Sequence, residues 1–595
     1  MTNRMRPAPR PALLIAAVAC TCSILAAPAS ARPAGVTISP LPGTPAAPPQ
    51  TQISFLGAGA SSFSAITVVG SSSGRHRGRL RRYASAVGAS FVPSKRFSPG
   101  EHVTVHARWR PSHGHTRRLS TAFTIATPAV IPLSEFPSTP GTPADVHSFL
   151  SQPRLHPPVL TVHQAAGSGS APGLLFTGPF FGPGQYGPTI YDNAGNLVWF
   201  RPAPAGEDAA DFRTQTYRGK PVLTWWQGHT VTFGYGLGEG VIAGSSYKTI
   251  ARVKTGNGLQ ADEHEFKLTP QGSAYLMAYN PVQSSLASAG GPASGIVLDC
   301  VIQQIDIRTG LVMWEWHSLG HVDVSESYSK PPGLATNPFD YFHINSLTTD
   351  SRGNFLISAR NTWALYQINP HSGAIVWRLA GKKSTFTLGP GVQFAYQHNA
   401  LWLPNGEISL YDDEGAPPVK PPARGEVIKL DLTAKTATLA TQLVRTPALL
   451  SFCCGSAQPV SGGNWMVGWG GLPNLTEFNA QGQMIFDAQL PRGETTYRVY
   501  REPWSAQPSE APAIAARTSA GTTAVYASWN GATDVASWQL LRGAAAGHLS
   551  AVSRTPKSGF ETVIPASPAG FYQVRALSAS GSVLASSKVV APSAG

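Results

Sequence analysis

Between about residues 165 and 504 the chain repeats one unit, and that repeat constrains the fold more than any other feature. One copy runs from His343 to Arg360 and continues from Ala364 to Trp377. It reads as an alternating strand, an Asp/Gly turn, a second strand, a third strand, another Gly turn and a fourth strand ending in Trp377. Four antiparallel strands in one repeat form a β-propeller blade. The pattern recurs. His264 opens a copy backed by Gln304–Trp314, and His398 opens one backed by Val427–Asp431. Ser456–Val467 opens another, backed by Glu477–Phe486, and Gln215–Trp225 opens a weaker one. Asp192–Trp199 reads as an outer half whose inner strand Tyr497–Tyr500 supplies from the far end. Five whole units and one composite predict a six-bladed β-propeller over residues 165–504, closed so that no sheet edge is left bare.

A chain of 595 residues is too long for one core. Gly 60 and Pro 52 make it rich in turns, while a 42% hydrophobic content keeps it among folded proteins. No long stretch carries apolar residues at helical spacing, so the expected class is all-β. Residues 32–130 predict a small β-sandwich, with strands at Gln52–Leu56, Ile66–Gly70 and Val103–Trp109. Residues 131–164 follow as a Pro-rich linker whose stretch Ser138–Pro143 is expected to lack regular structure. Residues 512–595 predict a fibronectin-type β-sandwich, with strands at Thr523–Trp529, Ser537–Leu541 and Phe571–Leu577.

Residues 1–31 read as a cleaved export signal: Arg4, Arg6 and Arg10, then the apolar run Leu13–Leu25, then Ala29-Ser30-Ala31. A secreted or extracytoplasmic protein follows. Cys20 and Cys22 fall within this segment, which leaves Cys300, Cys453 and Cys454, an odd number for an oxidising compartment. A strained ring between the adjacent pair and a bond from Cys300 to one of them both stay open. The net charge of +14 is concentrated between Arg75 and Arg118, where Glu101 is the only acid. Export and the absence of interleaved aromatics argue against nucleic acid. A solvated basic face suited to cell-wall contact is the better reading. The glycine-rich stretch Gly234–Gly240 has no helix after it and reads as a blade turn rather than a phosphate cradle.

The chemistry lies at equivalent repeat positions. His264, His343 and His398 each stand where an innermost strand begins, so three imidazoles converge on one axis. Asn345 points the same way by strand alternation, and Arg360, at the end of the second strand of that blade, reaches the same end. Three histidines fit a catalytic zinc site, but a fixed guanidinium beside a dication is costly unless an anion lies between them. The alternative is an anion site, in which Arg and protonated His neutralise an oxyanion while a neutral His attacks it. A non-catalytic propeller binding an anionic glycan or a phenolic ligand is the second reading, and a metal-dependent hydrolase or lyase the third.

The stretches Asp262–Phe266, Asp340–Asn345, Ser358–Asn361, Trp377–Lys383 and Tyr396–Asn399 resemble, in order and spacing, the arylsulfotransferases that use aryl sulfates rather than a nucleotide donor. The likeness runs from about residue 145 to 504 and is strongest to the actinobacterial and fungal-type branch. It implies a six-bladed propeller, no cofactor, and transfer of a sulfuryl group from a phenolic sulfate ester to a phenol through a sulfohistidine. His398 would be the nucleophile, with His264, His343, Asn345 and Arg360 on the sulfuryl oxygens. Tyr497 would line the phenol pocket. Substrates of this kind are small phenols and aryl sulfates.

Overall fold

The computed structural model describes residues 35–594; the export signal expected at residues 1–31 lies outside them. Among the described residues the regular structure is strand, with short 3-10 turns and no α-helix. This is the all-β class that the alternating pattern predicts.

Six sheets built from four consecutive antiparallel strands, or their equivalent, occupy the repeat region. The fourth shows the local logic. Its strands are Ile344–Thr349, Phe355–Ala359, Ala364–Ile368 and Ile375–Ala380. The turn at Asp350–Asn354 closes because the Asp350 carboxylate accepts from the amides of Arg352 and Asn354, both at 2.8 Å, while Gly353 takes φ +84°. The same device recurs at Asp192–Asn196 and, with an amide oxygen, at Asn479–Gln483. A side-chain acceptor followed by a left-handed glycine is therefore the local code of the repeat.

Neighbouring sheets share apolar cores. Phe176, Ile190 and Trp199 of the first pack with Phe212, Leu223 and Trp225 of the second. Trp226 and Ile242 of the second meet Phe266, Leu276 and Ile305 of the third. The third and fourth share Ile302, Trp314, Phe355 and Ile357, and the fourth and fifth share Leu356, Leu365, Ala400 and Ile408. Tyr411 and Leu443 of the fifth meet Val467 and Phe478 of the sixth. Met466, Leu475 and Phe486 of the sixth then pack with Leu175, Tyr191 and Leu197 of the first. In that first sheet, Tyr500–Glu502 pairs antiparallel with Leu174–Thr177. The strand joining the chain ends thus starts at Tyr500, three residues beyond the Tyr497 expected from sequence.

The flanking regions each form two four-stranded sheets around an apolar core, residues 37–124 at one end and 513–594 at the other. They dock by directional hydrogen bonds. Ser54 and Ser90 donate to the Val312 carbonyl at 2.6 and 2.7 Å, and Asn530 exchanges two bonds with the backbone of Phe200. Glu101 does not serve the arginines around it. Its buried carboxylate accepts from the backbone amides of Ser72, Ser73 and Ser98.

Ser138–Thr142 carries no regular structure, as expected, and a 3-10 turn with a reciprocal capping box to Thr142 follows at Pro143–Asp145. One expectation needs correction: Gly234–Gly240 is not a blade turn, because Tyr235–Ala243 is a strand. Its glycines are there for closeness, since a Cβ on Gly238 would meet the Gln227 carbonyl oxygen at 2.1 Å. Among the described residues the three cysteines are free thiols: Cys300 is buried, and the Cys453 and Cys454 sulfurs lie 2.8 Å apart.

Candidate functional site

His264 and His343 stand just before the first strands of the third and fourth sheets, and His398 is the first residue of the fifth. The structure brings the three together: a ring nitrogen of each lies within 4.8 Å of those of the others. The His264 ring centroid is 4.9 Å from that of His343 and 6.3 Å from that of His398. All three are buried.

Each imidazole is oriented by a carboxylate. Nδ1 of His264 lies 2.6 Å from Asp262, Nδ1 of His343 lies 2.5 Å from Asp340, and Nδ1 of His398 lies 2.8 Å from Asp413. Nδ1 of His398 also lies 2.9 Å from the Tyr396 carbonyl. A carbonyl can only accept, so Nδ1 carries the proton and Nε2 keeps its lone pair. With all three Nδ1 atoms engaged in this way, Nε2 is the nitrogen each ring has left for a ligand.

The charges of the three rings diverge. Burial drives His398 well below the ordinary imidazole range, helped by the Arg360 charge and the two neighbouring histidines, so it is neutral. Burial also lowers His343 against the pull of Asp340. For His264, burial works against protonation, but the Asp262 carboxylate outweighs it and lifts the ring above the ordinary range. The three rings are thus pushed apart in pKa, His264 upward and His343 and His398 downward, a separation suited to an acid and a nucleophile in one site.

Arg360 joins the cluster through its backbone, whose amide donates to the His343 carbonyl at 2.9 Å. Its guanidinium donates to Asn361 Oδ1 at 2.9 Å and the Phe452 carbonyl at 3.0 Å, and lies 4.7 Å from the Tyr396 ring centroid. Tyr497 packs edge-on to His264 at 5.2 Å and donates its hydroxyl to the Asn345 carbonyl at 2.8 Å. Asn345 does not simply follow His343 by alternation. His343 has φ +57° and lies outside the strand, and the pairing register shifts between Ile344 and Ser346. The Asn345 amide donates to the Gln397 carbonyl at 2.8 Å, and its Oδ1 is buried without a partner.

Sequence reading missed several groups. Asp262 and Asp340 could have been found, since each lies within three residues of its histidine. Asp413, 15 residues from His398, is brought to it only by the hairpin register that pairs His398 with Tyr411. Arg498, fully buried, ties Asp211, Glu265 and the Asn345 carbonyl together beneath Tyr497. Asn399 is buried at φ +51° with neither amide atom hydrogen-bonded, beside the histidine most depressed in pKa. His343, Trp363, Tyr396, Asn399 and Cys454 all adopt left-handed backbone. Non-glycine residues hold that region at a cost of about 1–3 kcal/mol each, and such strain gathers where geometry serves function.

A family model described as Arylsulfotransferase (ASST) matches residues 213–490. That span contains all three histidines and Arg360. No curated protein matches the chain. Among solved structures, a protein of unknown function from Bacteroides caccae is 13% identical over 55% of this chain and 98% of its own, with a TM-score of 0.34. A catalytically inactive virginiamycin B lyase from Staphylococcus aureus, solved with quinupristin, is 8% identical over 62% and 95%, with a TM-score of 0.29. A GH43 protein from Bacillus licheniformis is 9% identical over 64% and 89%, with a TM-score of 0.28.

Proposed function

Residues 213–490 belong to the arylsulfotransferase family, and from that premise we propose that the chain moves a sulfuryl group from an aryl sulfate to a phenol through a covalent intermediate on His398. The observation that carries this reading is the state of His398: its pKa held well below the ordinary imidazole range, its Nδ1 proton pinned by Asp413 and Tyr396, its Nε2 left free in a cluster with His264, whose pKa the Asp262 carboxylate raises.

In the first step Nε2 of His398 attacks sulfur. The N–S bond forms, the S–O bond to the aryl group breaks, and the departing phenolate takes the proton of His264. In the second step His264, now neutral, accepts the proton of an incoming phenol whose oxygen attacks sulfur. The N–S bond breaks, and the lone pair of His398 and the charge of His264 are restored. Arg360 meets the charge on the sulfuryl oxygens, in the manner of the fixed cations of phosphoryl transfer, with His343 beside them as a neutral contact. Asn399 and the Asn345 Oδ1, both unpartnered, are the polar groups available to position the substrate.

The six sheets are read as the blades of one closed propeller. Support comes from the shared cores that run through the series and return from the sixth to the first, and from the strand at Tyr500–Glu502 that completes the first sheet. The sandwiches at either end, secretion, and membership of the actinobacterial and fungal-type branch complete the proposal, as does contact of the basic N-terminal region with the cell wall.

A second reading has one observation in its favour. Three imidazoles whose Nδ1 atoms meet carboxylates are also the arrangement of metal-ligating histidines. One assay separates the readings. The purified protein is expected to release nitrophenol from 4-nitrophenyl sulfate only when phenol is supplied, and to keep that activity after EDTA. Activity lost on chelation and restored by zinc would establish the metal reading. No release across a donor panel, from folded protein, would leave a binding module for phenols or anionic glycans.

The pKa directions set the pH profile. Transfer needs His398 neutral, so the rate rises as pH climbs through a value well below the ordinary imidazole range. It also needs His264 protonated, so the rate falls as pH passes a value above that range. The two limbs are expected to fall on opposite sides of the ordinary imidazole value in kcat/KM for 4-nitrophenyl sulfate. A narrow bell centred near pH 6.5, the free imidazole value, would contradict the division of charge.

A further inference from the structure

The Trp377–Lys383 stretch, which the reaction itself does not use, leads to an aromatic wall beside the histidines. Tyr396 lies within one residue pair of His398 and presents its ring under the Arg360 guanidinium. The Trp363 ring meets it edge-on at 5.3 Å, and Tyr328 stacks on Trp363 at 3.8 Å with the planes only 8° apart. Tyr328 is 40% exposed, so the wall runs from the buried histidines to solvent.

The backbone is arranged to hold this wall. Arg360–Thr362 is a single 3-10 turn, with Arg360 as its first residue and Trp363 as its C-cap at φ +47°, an unusual conformation for a bulky side chain. One turn thus aims a cation at the reacting end and an indole along the wall. At the outer end, Ala380 at φ +64° and Gly381 at φ +71° turn the chain so that Lys382 reaches back. The Lys382 ammonium donates to the carbonyls of Ser325 and Ser327 and sits 5.1 Å from the Tyr328 ring centroid. Two of its three protons are engaged, and the third is left for a ligand. The Trp363 indole N–H is buried and without a hydrogen-bond partner.

We propose that Tyr328, Trp363 and Lys382 form an outer subsite for substrates with two linked aromatic rings and an anionic group on the ring farther from the reacting phenol. This rests on the sulfuryl-transfer reading for its inner end only. The first ring sits by Tyr396 at the histidines, the second packs along Trp363 and Tyr328, and the anion meets the free N–H of Lys382. Ring packing and a fixed cation together select extended acidic polyphenols over single-ring phenols.

Two measurements test it. With 4-nitrophenyl sulfate as donor, the ratio of kcat/KM for 4-(4-hydroxyphenyl)benzoate to that for phenol is expected to fall about tenfold in Trp363→Ala, and to recover in Trp363→Phe. Lys382→Gln, on an exposed side chain, is expected to lower that ratio for the carboxylate but not for 4-phenylphenol. An unchanged ratio in both Trp363→Ala and Lys382→Gln overturns the subsite. Calorimetric binding of 4-phenylbenzoate, which has no hydroxyl to accept a sulfuryl group, is independent of turnover. If no transfer occurs in any protein yet Trp363→Ala and Lys382→Gln each weaken this binding, the subsite stands and the reaction falls. Equal binding by wild type and both variants overturns the subsite whatever the activity.

Discussion

His398→Ala abolishes sulfuryl transfer, a loss of about 10⁴-fold or more by comparison with deletion of other covalent nucleophiles. The reason is that no other imidazole in the cluster can replace it. The Asp262 carboxylate raises the pKa of His264, which favours the protonated ring and leaves it the poorer nucleophile. His343 is neutral, but it sits 4.9 Å from His264 as that ring's edge-on neighbour, in a strained backbone that fixes its aim. The fold survives the change. His398 begins its strand at an irregular register, and the shared core there comes from Ala400, Ile408 and Ile428 instead. A far-UV circular dichroism melt beside the kinetics checks that loss of activity is not loss of structure. Residual transfer within a hundredfold of wild type would show that the imidazole is not the group attacked.

Arg360→Ala costs about 10²- to 10³-fold, the scale for removing one charge-stabilising donor. Among the described residues the guanidinium donates to Asn361 and Phe452, and a guanidinium carries five N–H donors, so others remain for an anion. The loss falls mainly on kcat, because the charge on the sulfuryl oxygens grows toward the transition state. The acidic limb of the pH profile also moves up, since the Arg360 charge is one of the causes that depress His398. A variant with a weaker KM and unchanged kcat and pH profile would make Arg360 a ground-state contact only.

The sequence carried the repeat because the repeat is local. An alternating strand, an Asp or Asn acceptor and a left-handed glycine recur within a few residues, and all three are visible as residue types. His264, His343 and His398 were legible for the same reason, as equivalent positions in that unit. Groups supplied by tertiary register were not legible. Asp413 reaches His398 across a hairpin, and Arg498 reaches Asp211 and Glu265 from the opposite end of the chain. The Asn345 expectation failed in its reasoning because alternation presumes a regular strand, and the pairing register shifts there. The Gly234–Gly240 stretch misled because glycine signals a turn and a close approach of two strands equally well.

The central claim is a covalent bond between sulfur and one nitrogen of His398, and mass spectrometry tests it most directly. Wild-type protein mixed with 4-nitrophenyl sulfate in the absence of a phenol acceptor, then quenched rapidly, is predicted to gain one sulfuryl group. Peptide mapping is predicted to place that group on the segment Tyr396–Trp402. A sulfuryl group on His264 or His343 would contradict the assignment of the nucleophile, and an active enzyme that never carries an adduct would contradict the intermediate itself.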